Sequence, residues 1–233
     1  MFTNLQSLNW QAIEDSLTSR GYAHVPHLVQ PKTCRTLTKI YDDDKAFRSR
    51  IVMERFNFGL GDYAYFSEPL PKLVSELRLG LYERLAPIAN RMIEAMRLNH
   101  RYPKTLSEFR QVCRKAGQTK PTPLMLRYEV GGFNCLHRDI YGKTLFPLQA
   151  MVMLSQKGED FEGGEFILVE NRPRQQSRAV VLTPDLGDLI IFPVFERPVR
   201  GRRSILRASM RHGVSPITSG HRWALGIIFH DAK

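Results

Sequence analysis

Residues 206–230 read LRASMRHGVSPITSGHRWALGIIFH, two strand-like runs separated by a turn. The turn is S-P-I-T-S-G at 215–220, where proline, serine and glycine interrupt regular structure. Side chains then alternate after the turn, with a bulky apolar face (Trp223, Leu225, Ile227, Phe229) and a small face (Arg222, Ala224, Gly226). This alternation is typical of a strand with one face in a core, and the small face leaves room for a ligand.

Strand-like runs of the same kind recur from about residue 123 onward, with glycine and proline turns between them. Eight such runs are Leu124–Val130, Phe133–His137, Phe146–Leu154, Glu165–Val169, Arg178–Leu182, Leu189–Val194, Leu206–His212 and Arg222–His230. Eight short strands that follow a helical region predict an α+β fold, a jelly roll backed by N-terminal helices.

The first 120 residues have mainly a helical pattern. Helices are expected from Trp10 to just before Gly21, with Asn9 as the cap, from Pro31 and from near Pro71. A further helix is expected between Thr105, which forms a capping box with Glu108, and Gly117. Tyr22–Val25 is expected to be a short strand. A chain of 233 residues forms one domain by default. We therefore expect residues 1–233 to form a single domain, with 1–120 as a helical support layer and lid and 121–233 as the jelly-roll catalytic core.

The chain is basic, with 34 lysines and arginines against 23 acidic residues and a net charge of +11. Nine arginines lie between residues 171 and 211, opposed by three acidic residues (Arg172, Arg174, Arg178, Arg197, Arg200, Arg202, Arg203, Arg207, Arg211). Many basic proteins bind no nucleic acid, but arginine suits planar phosphate or carboxylate groups. The segment Arg172–Arg211, which leads into His212, is therefore expected to border the active-site mouth and to recruit nucleic acid or another anionic partner.

The sequence carries no signal for export or for a membrane. The N-terminal residues MFTNLQSLNWQAIED lack the basic and apolar regions of a signal peptide. The longest apolar run, Leu189–Phe195, is too short to span a bilayer. Three cysteines without CxxC spacing suit a reducing compartment. We expect a soluble, cytoplasmic protein without a membrane partner.

A metal site is predicted around His137 and Asp139, which form H-x-D at the end of a strand-like run. Residues two apart on a strand point to the same side, so the imidazole and the carboxylate can bind one ion. His212 ends another run and is the third candidate ligand. Two histidines and one carboxylate leave coordination positions open on iron(II). The alternative is a loop histidine hydrogen-bonded to Asp139.

Arg222 lies ten residues after His212, and the two are equidistant from Ile217 in the turn. This spacing predicts that they lie side by side on paired strands, where the arginine can bind a carboxylate held near the metal. The alternative is a structural salt bridge, although a buried arginine beside small residues is hard to explain without an anion. Weaker metal or acid–base candidates are His24, His27, His221, His230 and the acidic run Asp42–Asp44.

Three stretches resemble the 2-oxoglutarate and iron(II) oxygenase superfamily, including its prolyl-hydroxylase type. They are LMLRYEVGGFNCLHRD at 124–139, FEGGEF at 161–166 and RHGVSPITSGHRWAL at 211–225. A closer resemblance, which includes GDYAYF at 61–66 and LAPIANRM at 85–92, is to a bacterial oxygenase family proposed to demethylate damaged nucleic acid. The short interval between His212 and Arg222 is similar to the prolyl-hydroxylase type.

The resemblance implies a double-stranded β-helix and a set of site residues. His137, Asp139 and His212 match the iron ligands, and Arg222 and Tyr128 match residues that bind the distal carboxylate of 2-oxoglutarate. The implied cofactors are iron(II), 2-oxoglutarate and dioxygen. Oxidation of modified nucleic acid is the first functional hypothesis. A protein side-chain or metabolite hydroxylase is the second, and a non-enzymatic jelly-roll module that contains a metal is the third.

Overall fold

The computed structural model describes residues 2–202 and 204–233. Arg203, one of the nine arginines, therefore lies outside the described residues. The helices are α1 Trp10–Arg20, α2 Pro31–Ile40, α3 Lys72–Ala95 and α4 Leu106–Lys115. The strands are β1 Ala23–Val25, β2 Phe47–Val52, β3 Gly59–Leu60, β4 Asp62–Phe66, β5 Leu124–Tyr128, β6 Phe133–His137, β7 Leu148–Met153, β8 Phe161–Gly163, β9 Phe166–Asn171, β10 Arg178–Leu182, β11 Leu189–Pro193, β12 Glu196–Arg200, β13 Ile205–Val214, β14 Ile217–Gly220 and β15 Arg222–Ile227.

Two antiparallel sheets form the body of the fold. The seven-stranded sheet has the order β1-β11-β7-β15-β5-β4-β2. The six-stranded sheet has the order β10-β9-β13-β6-β3, and β12 pairs with the first half of β13. A short third sheet pairs β14 with β8. Most neighbouring strands are not consecutive in the chain, which is typical of a jelly roll and agrees with the predicted fold class.

Strand alternation divides the core into two layers. On β7, Ala150 and Val152 pack with the helices on the outer face of the seven-stranded sheet. Met151 and Met153 point the other way and join a second cluster with residues of the six-stranded sheet. Because successive side chains of a strand face opposite sides, one strand supplies both layers. The space between the two sheets is where a ligand can enter.

The helices begin and end where the sequence predicts. Asn9 caps α1 and Gly21 ends it in the left-handed conformation. Pro31 occupies the first turn of α2, and Thr105 with Glu108 forms the predicted capping box of α4. The apolar stripe of α3 is buried, and Pro87 lies within the helix. Among the described residues, none of the helices combines the length and the apolarity that a membrane span requires.

All eight predicted runs from residue 124 onward are strands, with ends shifted by a few residues. The prediction was incomplete, because β2, β3 and β4 in the N-terminal half and β8, β12 and β14 in the C-terminal half were not expected. β4 pairs with β5 and β2 with β4 in the seven-stranded sheet, and β3 pairs with β6 in the six-stranded sheet. These strands gave no clear alternation in the sequence, and their pairing depends on tertiary context more than on local pattern.

Candidate active site

The six-stranded sheet brings two histidines together. His137 ends β6 and lies directly opposite His212 on β13, with ring centroids 4.2 Å apart. Asp139 Oδ1 lies 3.6 Å from His137 Nε2, and Asp139 Oδ2 lies 3.3 Å from His212 Nε2. One candidate ligand atom from each residue falls within 4.8 Å of the other two. The three predicted ligands therefore form one cluster.

The cluster has the protonation states that suit a cation. Burial would raise the pKa of Asp139, but the hydrogen bond to His212 and the charges of both histidines hold it well below its usual range. Burial and the nearby His137 lower the pKa of His212. An ionised carboxylate and a neutral imidazole are the forms that bind metals. Two histidines and one carboxylate suit iron(II) with open positions.

Tyr141 orients the carboxylate of the cluster. Its hydroxyl donates a hydrogen bond to Asp139 Oδ1 at 2.6 Å. Its ring packs edge-on against Tyr65 at 6.1 Å and lies 5.9 Å from the ring of His230. Sequence reasoning missed Tyr141, although its position two residues after Asp139 was a signal. Groups that hold a ligand carboxylate in place tune its affinity for a metal.

A cavity of about 340 Å³ lies between the two sheets. The cluster forms part of one wall, and Arg222 lies on the opposite sheet. Ala224 and Gly226, the small residues predicted beside Arg222, also line the cavity. Trp223, Leu225, Ile227 and Phe229 pack instead with the helical layer, so the predicted division of β15 into a small and a bulky face is correct.

Arg222 is a buried cation that is only 1% exposed. Among the described residues its guanidinium has no ion pair, and its buried Nε has no hydrogen-bond partner. Glu165, whose charge acts on Arg222, is paired with Lys157 at 2.6 Å. Burial lowers the pKa of Arg222 to about 10. The predicted alternative, a structural salt bridge, therefore has no support among the described residues, and the buried guanidinium could bind an anion that enters the cavity.

A glycine makes room for this arginine. Gly164 has φ +61°, and a Cβ there would lie 2.8 Å from Arg222 Cδ and 2.4 Å from Ile217 Cδ1. A larger residue would displace the arginine stem and would also be strained in this conformation. The segment Gly163-Gly164-Glu165 thus shapes the surroundings of Arg222.

The predicted register between His212 and Arg222 is wrong. His212 lies on β13 in the six-stranded sheet, and Arg222 lies on β15 in the seven-stranded sheet. Residues 217–220 are not a tight turn, because they form β14 and pair with β8. The chain crosses from one sheet to the other in this segment. The two residues therefore belong to opposite walls of the cavity and are not hydrogen-bonded neighbours.

Two amide side chains in the cavity escaped sequence reasoning. Asn134 Nδ2 donates to the hydroxyl oxygen of Tyr128 at 3.2 Å, which leaves the Tyr128 proton free for another acceptor. Gln149 is buried, and its Nε2 lies 3.3 Å from His212 Nε2. Its Oε1 has no hydrogen-bond partner among the described residues. The signal for Gln149 was a single polar residue within the apolar run 146–154.

The arginine-rich segment does not line the cavity. Of the arginines from Arg172 to Arg211 that the structure describes, none belongs to its wall, which includes Arg138 instead. Arg197 is buried and pairs with Glu170 at 2.6 Å, while Arg200 and Arg202 are exposed near the tip of the β12–β13 hairpin. Six residues of β13 lie between Ile205 and His212, so the two ends are roughly 23 Å apart. Arg200 and Arg202, which lie beyond Ile205, are therefore far from His212.

The weaker candidates have other surroundings. His24 Nε2 and the backbone of His27 bind the carboxylate of Asp188 at 2.6 and 2.8 Å. His230 is buried beneath Tyr141 and accepts a hydrogen bond from the Phe146 backbone at 3.3 Å. In the acidic run, Asp44 pairs with Arg50 at 2.9 Å. The cluster at His137, Asp139 and His212 remains the candidate metal site.

Comparison with known sequences gives a family. Residues 61–232 match the sequence profile of a family described as "Oxygenase, catalysing oxidative methylation of damaged DNA". A protein of Mycobacterium tuberculosis strain H37Rv that is described as uncharacterized is 42% identical over 167 residues, which cover 72% of each chain. The profile match over residues 61–232 contains all five predicted site residues.

Comparison with solved structures gives the fold. A Pseudomonas putida prolyl-4-hydroxylase superposes with a TM-score of 0.54 at 15% identity, covering 93% of this chain and 96% of that chain. An oxidoreductase of the 2OG-Fe(II) oxygenase family from Burkholderia pseudomallei has a TM-score of 0.53 at 13% identity, covering 97% and 93%. The fold is therefore shared with 2-oxoglutarate and iron(II) oxygenases. Together with the family match and the cluster, it supports the predicted iron(II), 2-oxoglutarate and dioxygen.

Proposed function

Because the chain belongs to the family of oxygenases described as catalysing oxidative methylation of damaged DNA, we propose that it is an iron(II)- and 2-oxoglutarate-dependent dioxygenase that oxidises a C–H bond of modified nucleic acid. An N-methyl group is the simplest target. Its hydroxylation gives a hydroxymethyl group, which leaves as formaldehyde and restores the N–H.

The observation that carries the proposal is the buried guanidinium of Arg222, whose Nε has no hydrogen-bond partner among the described residues. It lies in the cavity that also contains His137, Asp139 and His212. A buried charge without a partner is costly, so the site fits a ligand that supplies a carboxylate. 2-Oxoglutarate has one carboxylate for the arginine and an α-keto acid group for the metal. The cluster of two histidines and one carboxylate is a donor set suited to iron(II), which would bind the α-keto acid group.

In this proposal each residue has a defined task. His137, Asp139 and His212 hold the iron, and Tyr141 keeps the Asp139 carboxylate in its orientation. Arg222 and Tyr128 bind the distal carboxylate of 2-oxoglutarate. The two donors fix the co-substrate at its far end and so set the position of its keto acid group.

Gln149 completes the co-substrate site. Its amide lies beside His212, its Oε1 has no hydrogen-bond partner in the part of the chain that the structure describes, and both residues line the cavity. We assign Gln149 the role of a hydrogen-bond partner, either for 2-oxoglutarate or for a donor group of the substrate next to the cluster. When bound, iron(II) with 2-oxoglutarate and dioxygen supplies an oxidant that places one oxygen atom in the substrate C–H bond and the other in succinate, with release of carbon dioxide.

A nucleic-acid substrate is supported by the net charge of +11, by Arg138 in the cavity wall and by the family description. Recruitment of the polyanion by the exposed Arg200 and Arg202 stays a prediction. Because these arginines are far from the cluster, they suit contacts with nucleic-acid phosphates distant from the reacting base. Positive charge draws a polyanion to the surface without selecting a sequence.

The test is a succinate-release assay with iron(II), 2-oxoglutarate and dioxygen. N-methylated DNA and RNA oligonucleotides, the same oligonucleotides without methyl groups, peptides and small metabolites are compared at equal concentration. We expect succinate and formaldehyde in equal amounts with the methylated oligonucleotide. If a peptide or a metabolite were hydroxylated instead, the substrate would be that class of molecule and not nucleic acid. Absence of 2-oxoglutarate binding by the wild-type protein would contradict the dioxygenase assignment itself.

A further inference from the structure

Two phenylalanines next to the cavity expose their rings to solvent. Phe56 is 52% exposed and Phe58 is 46% exposed. The rings stack on each other with centroids 5.5 Å apart and planes inclined by 21°. Phe58 lines the cavity together with Leu136, which is itself 40% exposed. We call the pair Phe56–Phe58 the aromatic platform. Exposed apolar surface that borders a site usually marks a place of contact with a partner.

The backbone beneath the platform is firmly held. Met53 is fully buried, its backbone N–H donates to Gly61 O at 2.9 Å, and its carbonyl accepts from Phe58 N at 3.1 Å. Cys135 N donates to Phe58 O at 2.8 Å, which joins the platform to β6. The exposure of the rings therefore follows from a fixed backbone and not from a loose loop.

Gly59 makes this close approach to β6 possible. Its φ is +143°, and a Cβ there would lie 2.2 Å from the carbonyl oxygen of Phe133. A side chain at this position would push β3 away from β6. Because β6 ends at His137, the contact between Gly59 and Phe133 sets the position of the platform relative to the candidate metal ligands.

Positive charge accompanies the platform. Arg55 is exposed beside Phe56, with Glu54 as its acidic neighbour. Arg138 lines the cavity, and its guanidinium is held by Met210 O at 3.1 Å and Ser209 Oγ at 2.5 Å. With a net charge of +11 on the chain, the surroundings favour an anionic partner.

We infer that the aromatic platform stacks an unpaired nucleobase of the substrate, so that the enzyme acts on single-stranded or locally opened nucleic acid. This inference rests on the proposed function for its nucleic acid. Flat aromatic rings offer their faces to bases, and stacking of this kind works with any base. In a duplex both faces of each base are covered by neighbours, so an exposed ring gains a partner only where a base leaves the stack. An apolar peptide would use the same surface without needing a π face.

The experiment compares binding of a short single-stranded DNA oligonucleotide and of the same sequence as a duplex, by fluorescence anisotropy with the full chain. We expect the wild-type protein to prefer the single strand. Phe58→Ala should weaken single-strand binding by about 5- to 150-fold and bring the two affinities closer together. Val181→Ala is the matched control, since Val181 is 58% exposed on β10 at the opposite edge of the same sheet.

Two further substitutions separate stacking from simple apolar contact. Phe58→Trp keeps a π face and should restore binding, whereas Phe58→Leu keeps apolar surface and should not. Wild-type affinity in Phe58→Ala, or full binding by Phe58→Leu, would overturn the inference, and the latter result would indicate a peptide-like contact. A duplex bound as tightly as the single strand by the wild-type protein would also overturn it. Failure of the proposed function would appear instead in 2-oxoglutarate binding and succinate release, which this assay does not measure.

Discussion

Tyr128 lies directly opposite Arg222 in the β5–β15 pair, with the guanidinium carbon 5.6 Å from the centre of the tyrosine ring. Antiparallel pairing places such side chains on the same face of the sheet, here the face that lines the cavity. Asn134 donates to the tyrosine oxygen and leaves its proton available. The sheet register therefore places a cation and a neutral donor side by side on the cavity wall.

Arg222→Ala should weaken 2-oxoglutarate binding by roughly 2–4 kcal/mol, because the desolvated carboxylate loses its charged partner. Calorimetric titration with Mn²⁺ in place of iron measures the affinity without turnover. Arg222→Lys keeps the charge but loses the planar guanidinium, so its affinity for 2-oxoglutarate should fall between those of the wild type and Arg222→Ala. Arg101→Ala, at an exposed surface arginine, is the control. An unchanged affinity in Arg222→Ala would remove this residue from the co-substrate site.

Tyr128→Phe should cost on the order of 1 kcal/mol of 2-oxoglutarate affinity, since one neutral donor is lost while the ring stays. Burial raises the pKa of Tyr128 to about 12, so the hydroxyl keeps its proton at neutral pH and can donate it. The same titration applied to Tyr128→Phe, Arg222→Ala and the double variant forms a double-mutant cycle. Additive losses would argue against a shared carboxylate, because residues that bind one group should couple.

His212→Ala, His137→Ala and Asp139→Ala should each abolish stable metal binding, because a site with three protein ligands has none to spare. Metal retained after dialysis, measured by atomic spectroscopy, is the readout. The far-ultraviolet circular dichroism should remain that of the wild type, since the cluster lies at the cavity and not within the helical core. His221→Ala provides a control at an exposed histidine. Wild-type metal content in His212→Ala would exclude His212 as a ligand.

Tyr141→Phe should weaken metal binding by about ten- to a hundredfold while leaving all three ligands in place. The substitution removes only the hydroxyl that donates to Asp139 Oδ1. Competition with a chelator of known affinity measures the change in the metal dissociation constant. Tyr22→Phe, at a tyrosine that contacts Arg20 away from the cavity, is the control. Equal metal affinity in wild type and Tyr141→Phe would mean that this hydrogen bond does not position the carboxylate.

Arg197→Ala should lower the free energy of unfolding by about 3 kcal/mol, the lower end of the range for a broken buried ion pair, because Arg172 still contacts Glu170. Arg197 also donates to the carbonyl of Thr18 at 2.8 Å at the end of α1. Urea unfolding measures the loss. Arg200→Ala, at an exposed arginine on the same strand, should stay within about 0.5 kcal/mol of wild type. Equal stability of both variants would show that burial of Arg197 contributes nothing to the fold.

Local patterns in the sequence were sufficient for the elements with strong periodicity or clear end signals. The capping box at Thr105 and the alternation along β15 are examples, and both agree with the structure. β2 and β4 escaped prediction because β4 is held by pairing with β5, which lies far along the chain, and β2 is held by pairing with β4. Tyr141 and Gln149 escaped because their roles depend on contacts with Asp139 and His212.

The sequence by itself determined the residue types that the chemistry needs: an H-x-D pair, a later histidine, and an arginine followed by small residues on one face of a strand. These features are local, so composition and period-two alternation reveal them. Only the tertiary structure decided where they stand relative to one another. The chain crosses between sheets after β13, so His212 and Arg222 lie on opposite walls of a cavity. The sequence could not show this, because long-range strand pairing and not residue spacing fixes which strands become neighbours.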